Sequence, residues 1–429
     1  MALPQFGTVN TTALAEYFIR KYNLVGRDAE YTKNRPTLSY IPRDTEKLKQ
    51  GDSFFETLKV GAGFSASPDW QLGNTYHNPS TKVRWQIQDP YAQYGFVAFD
   101  NLLLNRNGLG TIIDIKGSEA DDVREGMLNN AEFELWNDGT GNRAQAVTVT
   151  GTTTVVLTLA TGSDVFNFEF GMVFYGDTAA IGSGGTTHTD RYKVIDLDPV
   201  GGKVTGLRVS STASPILAND FIFTIGSAGA SAAAPVMMPG IPSFIPATAP
   251  ADVLLGVTRT ANPATSGWRF PFKASISETI QRSFAYMGRY VNQSSGKFVV
   301  VLSTTDWLLL SMERESRVIP DPMSVQKWGL EGLQVRTPFG SITCIAIPML
   351  KDGRGYILDF SSWKLYTLKN LPHVVDEDGQ TFVRGREGSP AAPSDGSASV
   401  NGDFIKMQLR LWKILLCLKP MSNATFPTA

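Results

Sequence analysis

The residues that could do chemistry in this chain are few and scattered. Only three histidines occur, His77, His188 and His373, each in a stretch that reads as loop and each far from the others in sequence. A lone loop histidine is most often solvated, so none is expected to act as a base or a metal ligand. The two cysteines, Cys344 and Cys417, each lie in an apolar run and read as buried thiols, not as a disulfide framework or a metal site. Asp376-Glu377-Asp378 is a carboxylate run of the kind that could hold a cation, although a solvated loop is the simpler reading. No GxSxG elbow, HExxH, GxxxxGK[ST], GxGxxG or CxxC is present, so acyl transfer, zinc hydrolysis, phosphate cradling and dinucleotide binding all lack a signature. Asn10, Asn292 and Asn423 open N-x-[ST] triplets, but no basic-then-apolar leader accompanies them. No cofactor, metal or catalytic residue is expected, and the chain reads as structural.

Composition narrows the field further. Charged residues make up 18% of the 429, below the roughly 25% of ordinary soluble proteins, and the net charge is −1. That balance gives no global electrostatic case for nucleic-acid binding. Aromatic residues are scattered without the basic interleaving that single-stranded nucleic acid requires. No apolar run approaches 18 residues, so no membrane span is expected. With 40 glycines and 24 prolines, a strand- and loop-rich chain is favoured over a helical bundle.

The elements around these residues fall into six stretches. Residues 1–50 read as an extended arm with one short helix near Thr12–Tyr22, after which Pro36 and Pro42 break regular structure. The arm carries eight basic and five acidic residues. Residues 51–100 alternate as strands at Phe54–Val60 and Lys82–Gln88, separated by a polar tip, Gly61–Ser80, far longer than a turn. Phe64, Trp70 and Tyr76 in that tip suggest a contact with something beyond it, because disordered tips seldom carry aromatics. Residues 101–138 hold an amphipathic helix from Ser118, with Val123, Met127, Ala131 and Leu135 on one stripe, a Ser118/Asp121 capping pair, and a stop at Asn137-Asp138-Gly139. Ile112, Ile113 and Ile115 extend it by two turns, with Gly117 as a soft point.

Residues 139–250 change composition, with only twelve charged residues among 112. Short alternating runs there (146–149, 153–159, 165–174, 192–197, 203–209, 221–225) predict a small all-β barrel or sandwich, followed by an Ala/Pro linker. Residues 251–375 predict mixed α/β structure, with helices at 272–291 and 306–314 and buried strands at 298–302, 342–347, 355–359 and 364–367. Residues 376–429 predict a polar loop and then one strand of about fifteen residues, Asp403–Leu418, long enough to lie along the 118–137 helix.

In this order, the parts resemble a major capsid protein of tailed bacteriophages, the HK97-like fold. The resemblance rests on the two arms at Phe54–Val60 and Lys82–Gln88 with their long tip, which is similar to the extended E-loop of that family. It rests also on NRNGLGTIIDIKGSEADDVREGMLNNAEFELWNDGTG for the spine helix, GSITCIAIPMLKDGRGYILDFSSWKLYTL for axial-domain strands, and MQLRLWKILLCLKPMSNATF for the closing peripheral strand. It implies an α+β fold with N-arm, E-loop, spine helix and axial domain, plus an inserted β domain at 139–250. It implies a subunit of an icosahedral shell around phage double-stranded DNA, assembled in the bacterial cytoplasm and resident in the virion. It implies homo-oligomeric hexameric and pentameric capsomers, a portal, a separate scaffolding protein and a decoration protein. The separate scaffold is expected because only about fifty residues precede the E-loop. Inter-subunit contacts are expected from Phe64, Trp70 and Tyr76 in the tip and from Phe18, Arg20 and Lys21 in the arm, with non-specific inner-face DNA contact from Arg27, Lys33 and Arg35. The tip contains no lysine, so the crosslink that some members form is not expected. Two alternatives stay open: an encapsulin-like compartment shell, and a glycan-active or glycan-binding protein with a β-module.

Overall fold

The computed structural model describes residues 35–46, 48, 54–59, 68–75, 82–87, 90–100, 109–180, 185–209, 214–227, 237–288, 298–313, 333–337, 340–369, 372–374, 382–385 and 404–429. The predicted helix at 12–22 and the Asp376–Asp378 run lie outside them. Mixed helices and sheets make the fold α+β, and three separate apolar clusters form its cores.

The longest helix runs Leu109–Leu135, 27 residues or about 40 Å. It begins nine residues before Ser118, so that serine is interior and the expected capping pair is not used. Gly117 does not interrupt it. The C-terminal turn tightens into i→i+3 bonds, Trp136 N to Phe133 O and Asn137 N to Glu134 O, before Gly139 turns the chain at φ +85°. Gly240 then packs against this end. A Cβ there would lie 2.2 Å from Glu134 O, so only glycine fits.

The helix rests on a strand that the alternation pattern did not separate from the hairpin, Tyr91–Asp100. Gly95 sits beneath Met127 and Val123 and permits the close approach. The 14-residue strand Phe404–Cys417 pairs antiparallel with Tyr91–Asp100 over ten residues, from Phe404↔Asp100 to Lys413↔Tyr91. Its other edge takes Phe382–Gly385, His373–Val374 and Trp363–Thr367 in turn. The long helix therefore lies against Tyr91–Asp100, with the C-terminal strand one place further on. The expected helix-along-strand pairing is corrected accordingly, because glycine at position 95 makes the nearer strand the better seat.

Six strands, Ala144–Thr150, Thr154–Leu159, Val173–Asp177, Tyr192–Asp198, Lys203–Arg208 and Phe221–Thr224, close into a barrel; the last bridges the first and third. The predicted strand at 165–174 is instead a 3-10 turn, Gly162–Asn167, with strand structure starting only at Val173. Asn167 bonds both ways with Arg143 (Nδ2 to Arg143 O at 2.9 Å, Arg143 Nη1 to Asn167 O at 2.5 Å), which holds the turn closed against the alternation of its apolar residues.

A second six-stranded sheet orders Trp268–Arg269, Ala424–Pro427, Arg354–Asp359, Phe298–Leu302, Gly340–Ala346 and Leu333–Thr337. Two helices flank it, Ile276–Met287 and Thr304–Glu313. The first starts four residues later than the period suggests because Ser275 caps it, accepting from Glu278 N at 3.1 Å. No described helix is long and apolar enough to cross a membrane.

Candidate inter-subunit surface

The hairpin is anchored at its base and unfinished at its tip. Phe54–Lys59 and Lys82–Ile87 pair without a break, from Phe54↔Ile87 to Lys59↔Lys82. Their period of two sends Leu58, Trp85 and Ile87 into the main core. Trp85 is fully buried; its Nε1 donates to Cys417 O at 2.9 Å, and its ring meets Phe244 edge-on at 5.7 Å. Phe244 meets Trp363 in the same way at 5.5 Å. A small hairpin, Val253–Leu254 with Val257–Thr258, closes on the same base, where Leu255 O accepts Gln86 N at 2.9 Å.

The other face and the tip are different. Phe55 is 53% exposed. The tip contains a short helix, Trp70–Thr75, started by Asp69, whose Oδ1 accepts from Gln71 N at 2.8 Å and Leu72 N at 3.0 Å. Its backbone is thus satisfied locally, while Trp70 stands 80% exposed and Leu72 54%. A tryptophan fully in water forgoes the burial that usually orders such a side chain. Of the tip residues singled out, Trp70 is described, and Phe64 and Tyr76 lie outside the described residues. The strand Tyr91–Asp100 adds exposed Tyr94 and Phe96, apolar surface that its alternation does not reveal because both of its faces carry aromatics.

In the arm, Phe18, Arg20, Lys21, Arg27 and Lys33 lie outside the described residues. Arg35 is described and is not free for a phosphate. It is buried, its Nε donates to Asn129 Oδ1 at 2.7 Å, and its Nη2 reaches Glu125 O at 3.3 Å and Glu125 Oε1 at 3.4 Å. Burial pulls its pKa down, and Glu125 and Glu132 oppose that pull. The DNA-contact expectation for Arg35 is corrected: its charge is spent on the long helix. Pro36 does not break structure either. It opens a short helix, Pro36–Tyr40, where its missing N–H costs nothing. The carboxylate of Glu132 accepts the N–H groups of Thr37 (3.1 Å) and Leu38 (3.0 Å), and Trp136 Nε1 donates to Thr37 Oγ1 at 2.9 Å. Arg35, Thr37 and Leu38 are thus riveted to the long helix.

Beneath this surface a buried ion pair joins helix, strand and barrel. Lys413 Nζ lies 3.1 Å from Glu134 Oε2 and donates to Gln93 Oε1 at 3.1 Å. Burial lowers the lysine pKa, and Glu134 holds it up. Asn130 Nδ2 donates to Glu134 at 3.2 Å, and Arg143, at the neck of the barrel, binds Asn130 Oδ1 and lies over Phe133 at 4.2 Å.

The histidines are placed otherwise than a solvated loop implies. His188 is buried, with Nδ1 2.9 Å from Ser214 Oγ and Nε2 2.8 Å from Asp220 Oδ2. His373 is buried on a two-residue strand, and burial takes its pKa down to about 4, helped by Lys369 and Arg410. His77 lies outside the described residues. Cys344 and Cys417 are buried free thiols. Among the described residues no three His, Cys, Asp or Glu side chains gather as metal ligands. What the geometry offers is an anchored finger with an apolar end.

No family model matches the chain, and no curated protein is similar to it. Among solved structures the chain is similar to the cyanophage A-1(L) capsid asymmetric unit, at 10% identity and a TM-score of 0.47, covering 100% of this chain and 95% of that one. It is also similar to the capsid of an empty GTA particle, at 8% identity and 0.41, covering 95% and 92%. Similarity to Mycobacterium phage Che8 is 7% and 0.37, covering 91% and 90%. The first two are capsid structures.

Proposed function

We propose that the chain is a non-enzymatic structural subunit that self-assembles into the icosahedral shell of a phage with an HK97-like fold. The observation that carries this reading is the finger. Its base is fixed by Trp85 and by the latch at Leu255, while Trp70 and Leu72 in its tip are left uncovered by the described residues. Such an element completes its burial on a neighbouring copy, so contacts of modest strength, repeated by symmetry, close a strong shell. In this reading residues 1–50 are the arm, 51–100 the E-loop, 101–138 the spine, 139–250 an inserted domain carrying the barrel, 251–375 the axial domain, and 376–429 the closing loop and strand. Phe64 and Tyr76 join Trp70 in the contact, and Phe18, Arg20 and Lys21 lie on a neighbour. Arg27 and Lys33 face the packaged DNA without reading its sequence. Hexameric and pentameric capsomers, a portal, a separate scaffolding protein and a decoration protein are the partners, and the virion is the destination.

The test is expression of the chain with size-exclusion chromatography and negative-stain microscopy. The wild-type chain forms particles tens of nanometres across, and Trp70→Ala leaves a folded chain that does not close. Unimpaired particles from Trp70→Ala, or a wild-type chain that stays a 46.7 kDa monomer at every concentration, would overturn the reading.

A further inference from the structure

Between the long helix and the sheet beneath it, a buried amine lies against a side-chain amide. Leu411 pairs with Gln93 and Lys413 with Tyr91, so Lys413 and Gln93 are diagonal neighbours on one face of two adjacent strands. The helix covers that face, because Gly95, two residues on from Gln93, lies beneath Met127 and Val123. Lys413 and Glu134 are buried and Gln93 is half-buried. Lys413 Nζ lies 3.1 Å from Gln93 Oε1 and 3.1 Å from Glu134 Oε2. With a C=O bond of about 1.23 Å, Gln93 Cδ is within about 4.3 Å of that nitrogen. The last torsion of a glutamine is soft, so a small turn of the amide brings Cδ to the roughly 3–3.5 Å of an attack geometry. The Glu134 carboxylate is itself held in place. Asn130 Nδ2 donates to it at 3.2 Å, and Arg143 in turn binds Asn130 Oδ1.

An ammonium has no lone pair, so attack on an amide needs the free amine. Burial favours that form by pulling the Lys413 pKa down, against the pull of Glu134. Passage of one proton from Nζ to Glu134 leaves an amine beside a carboxylic acid, both neutral, where water is largely excluded. We propose that Lys413 and Gln93 of one chain form an isopeptide bond, with Glu134 as the proton carrier. Nζ adds to Cδ and forms the new C–N bond, and the Cδ–Nε2 bond breaks with its electron pair going to Nε2. The ammonium nitrogen gives up two protons. One reaches Nε2 through Glu134, so that ammonia departs, and the other turns that ammonia into ammonium in water. Glu134 ends as it began, and no oxidant or co-reactant is consumed. The bond ties Tyr91–Asp100 to Phe404–Cys417 through residues 320 positions apart, independently of whether shells form.

The test weighs the purified full-length chain by intact-mass spectrometry under denaturing conditions, after incubation of the folded protein at neutral pH, and sequences its proteolytic peptides. The wild-type chain is expected to be one ammonia lighter than its sequence and to yield a branched peptide joining Gln93 to Lys413. Gln93→Ala should keep its full mass. Glu134→Gln, shown to be folded by its thermal melt, should form the bond about a hundredfold more slowly. A folded wild-type chain that keeps its full mass would overturn the proposal, and that measurement needs no variant to fold. So would loss of ammonia with linear peptides only, or a branch from Lys413 to another residue such as Asn130. Bond formation at the wild-type rate in Glu134→Gln would overturn the role given to Glu134.

Discussion

At the scale of single residues, two buried titratable groups pull on stability in opposite directions. Burial raises the Asp164 pKa from 3.8 to about 6, with Lys351 opposing and Asp352 adding. The folded chain keeps a proton that the unfolded chain releases, so this contribution to stability falls as pH rises from about 4 to about 6. His373 runs the other way. Burial lowers it from 6.5 to about 4, so the unfolded chain binds the extra proton, and stability is lost as pH falls through that window. Each effect is at most about 3 kcal/mol after allowance for solvent screening. Asp164→Asn should gain on the wild-type chain between pH 4 and 7, and His373→Gln should gain as pH drops from 6.5 to 4. Urea midpoints across the range check this, and variant curves that stay parallel to the wild-type curve contradict it. Neither group announces itself in the sequence. Asp164 looks like any loop aspartate and His373 like any loop histidine, because only tertiary burial gives them their character. The two cysteines were legible, since each sits inside an unbroken apolar run.

At the scale of elements, the finger and the long helix follow different rules. The hairpin was readable because Phe54–Lys59 and Lys82–Ile87 alternate cleanly and the gap between them is too long for a turn. Its anchoring was not readable, since nothing local says that Trp85 will meet Cys417, 332 positions away. Trp85→Ala should cost about 3–5 kcal/mol by leaving a cavity and an unpaired carbonyl, seen as a lower midpoint in chemical denaturation. The helix is readable from its stripe and from Ile112, Ile113 and Ile115, which extend it upstream of Ser118; its first residue, Leu109, lies only three positions before that extension. Its two glycine contacts separate by mechanism. An alanine methyl at 95 would press on Met127 Sδ at 2.6 Å, the flexible part of a side chain, whereas at 240 it would press on backbone carbonyls at 2.2 and 2.5 Å. Gly95→Ala should therefore cost about 1–3 kcal/mol and Gly240→Ala more, with thermal melts giving the order. A reversed order would mean that the helix terminus adjusts more easily than its flank. The barrel is legible as a β-module, yet its 3-10 turn reads as strand because Phe166, Phe168 and Phe170 alternate, while the Arg143–Asn167 bonds hold the backbone in the turn.

At the scale of the whole molecule, the proposed account places function in the part that the chain leaves open. The described hairpin is fixed at its base by Trp85 and Leu255, while Trp70 and Leu72 at its tip stay exposed. The order of parts is legible in the sequence, whereas the asymmetry between a riveted base and a bare tip is visible only in the fold. The most direct measurement is hydrogen exchange over residues 68–75, compared between dissociated subunits and closed particles. The account predicts fast exchange in the subunit and strong protection in the particle, with Tyr91–Asp100 protected in both. Equal protection of the tip in the two states would contradict it.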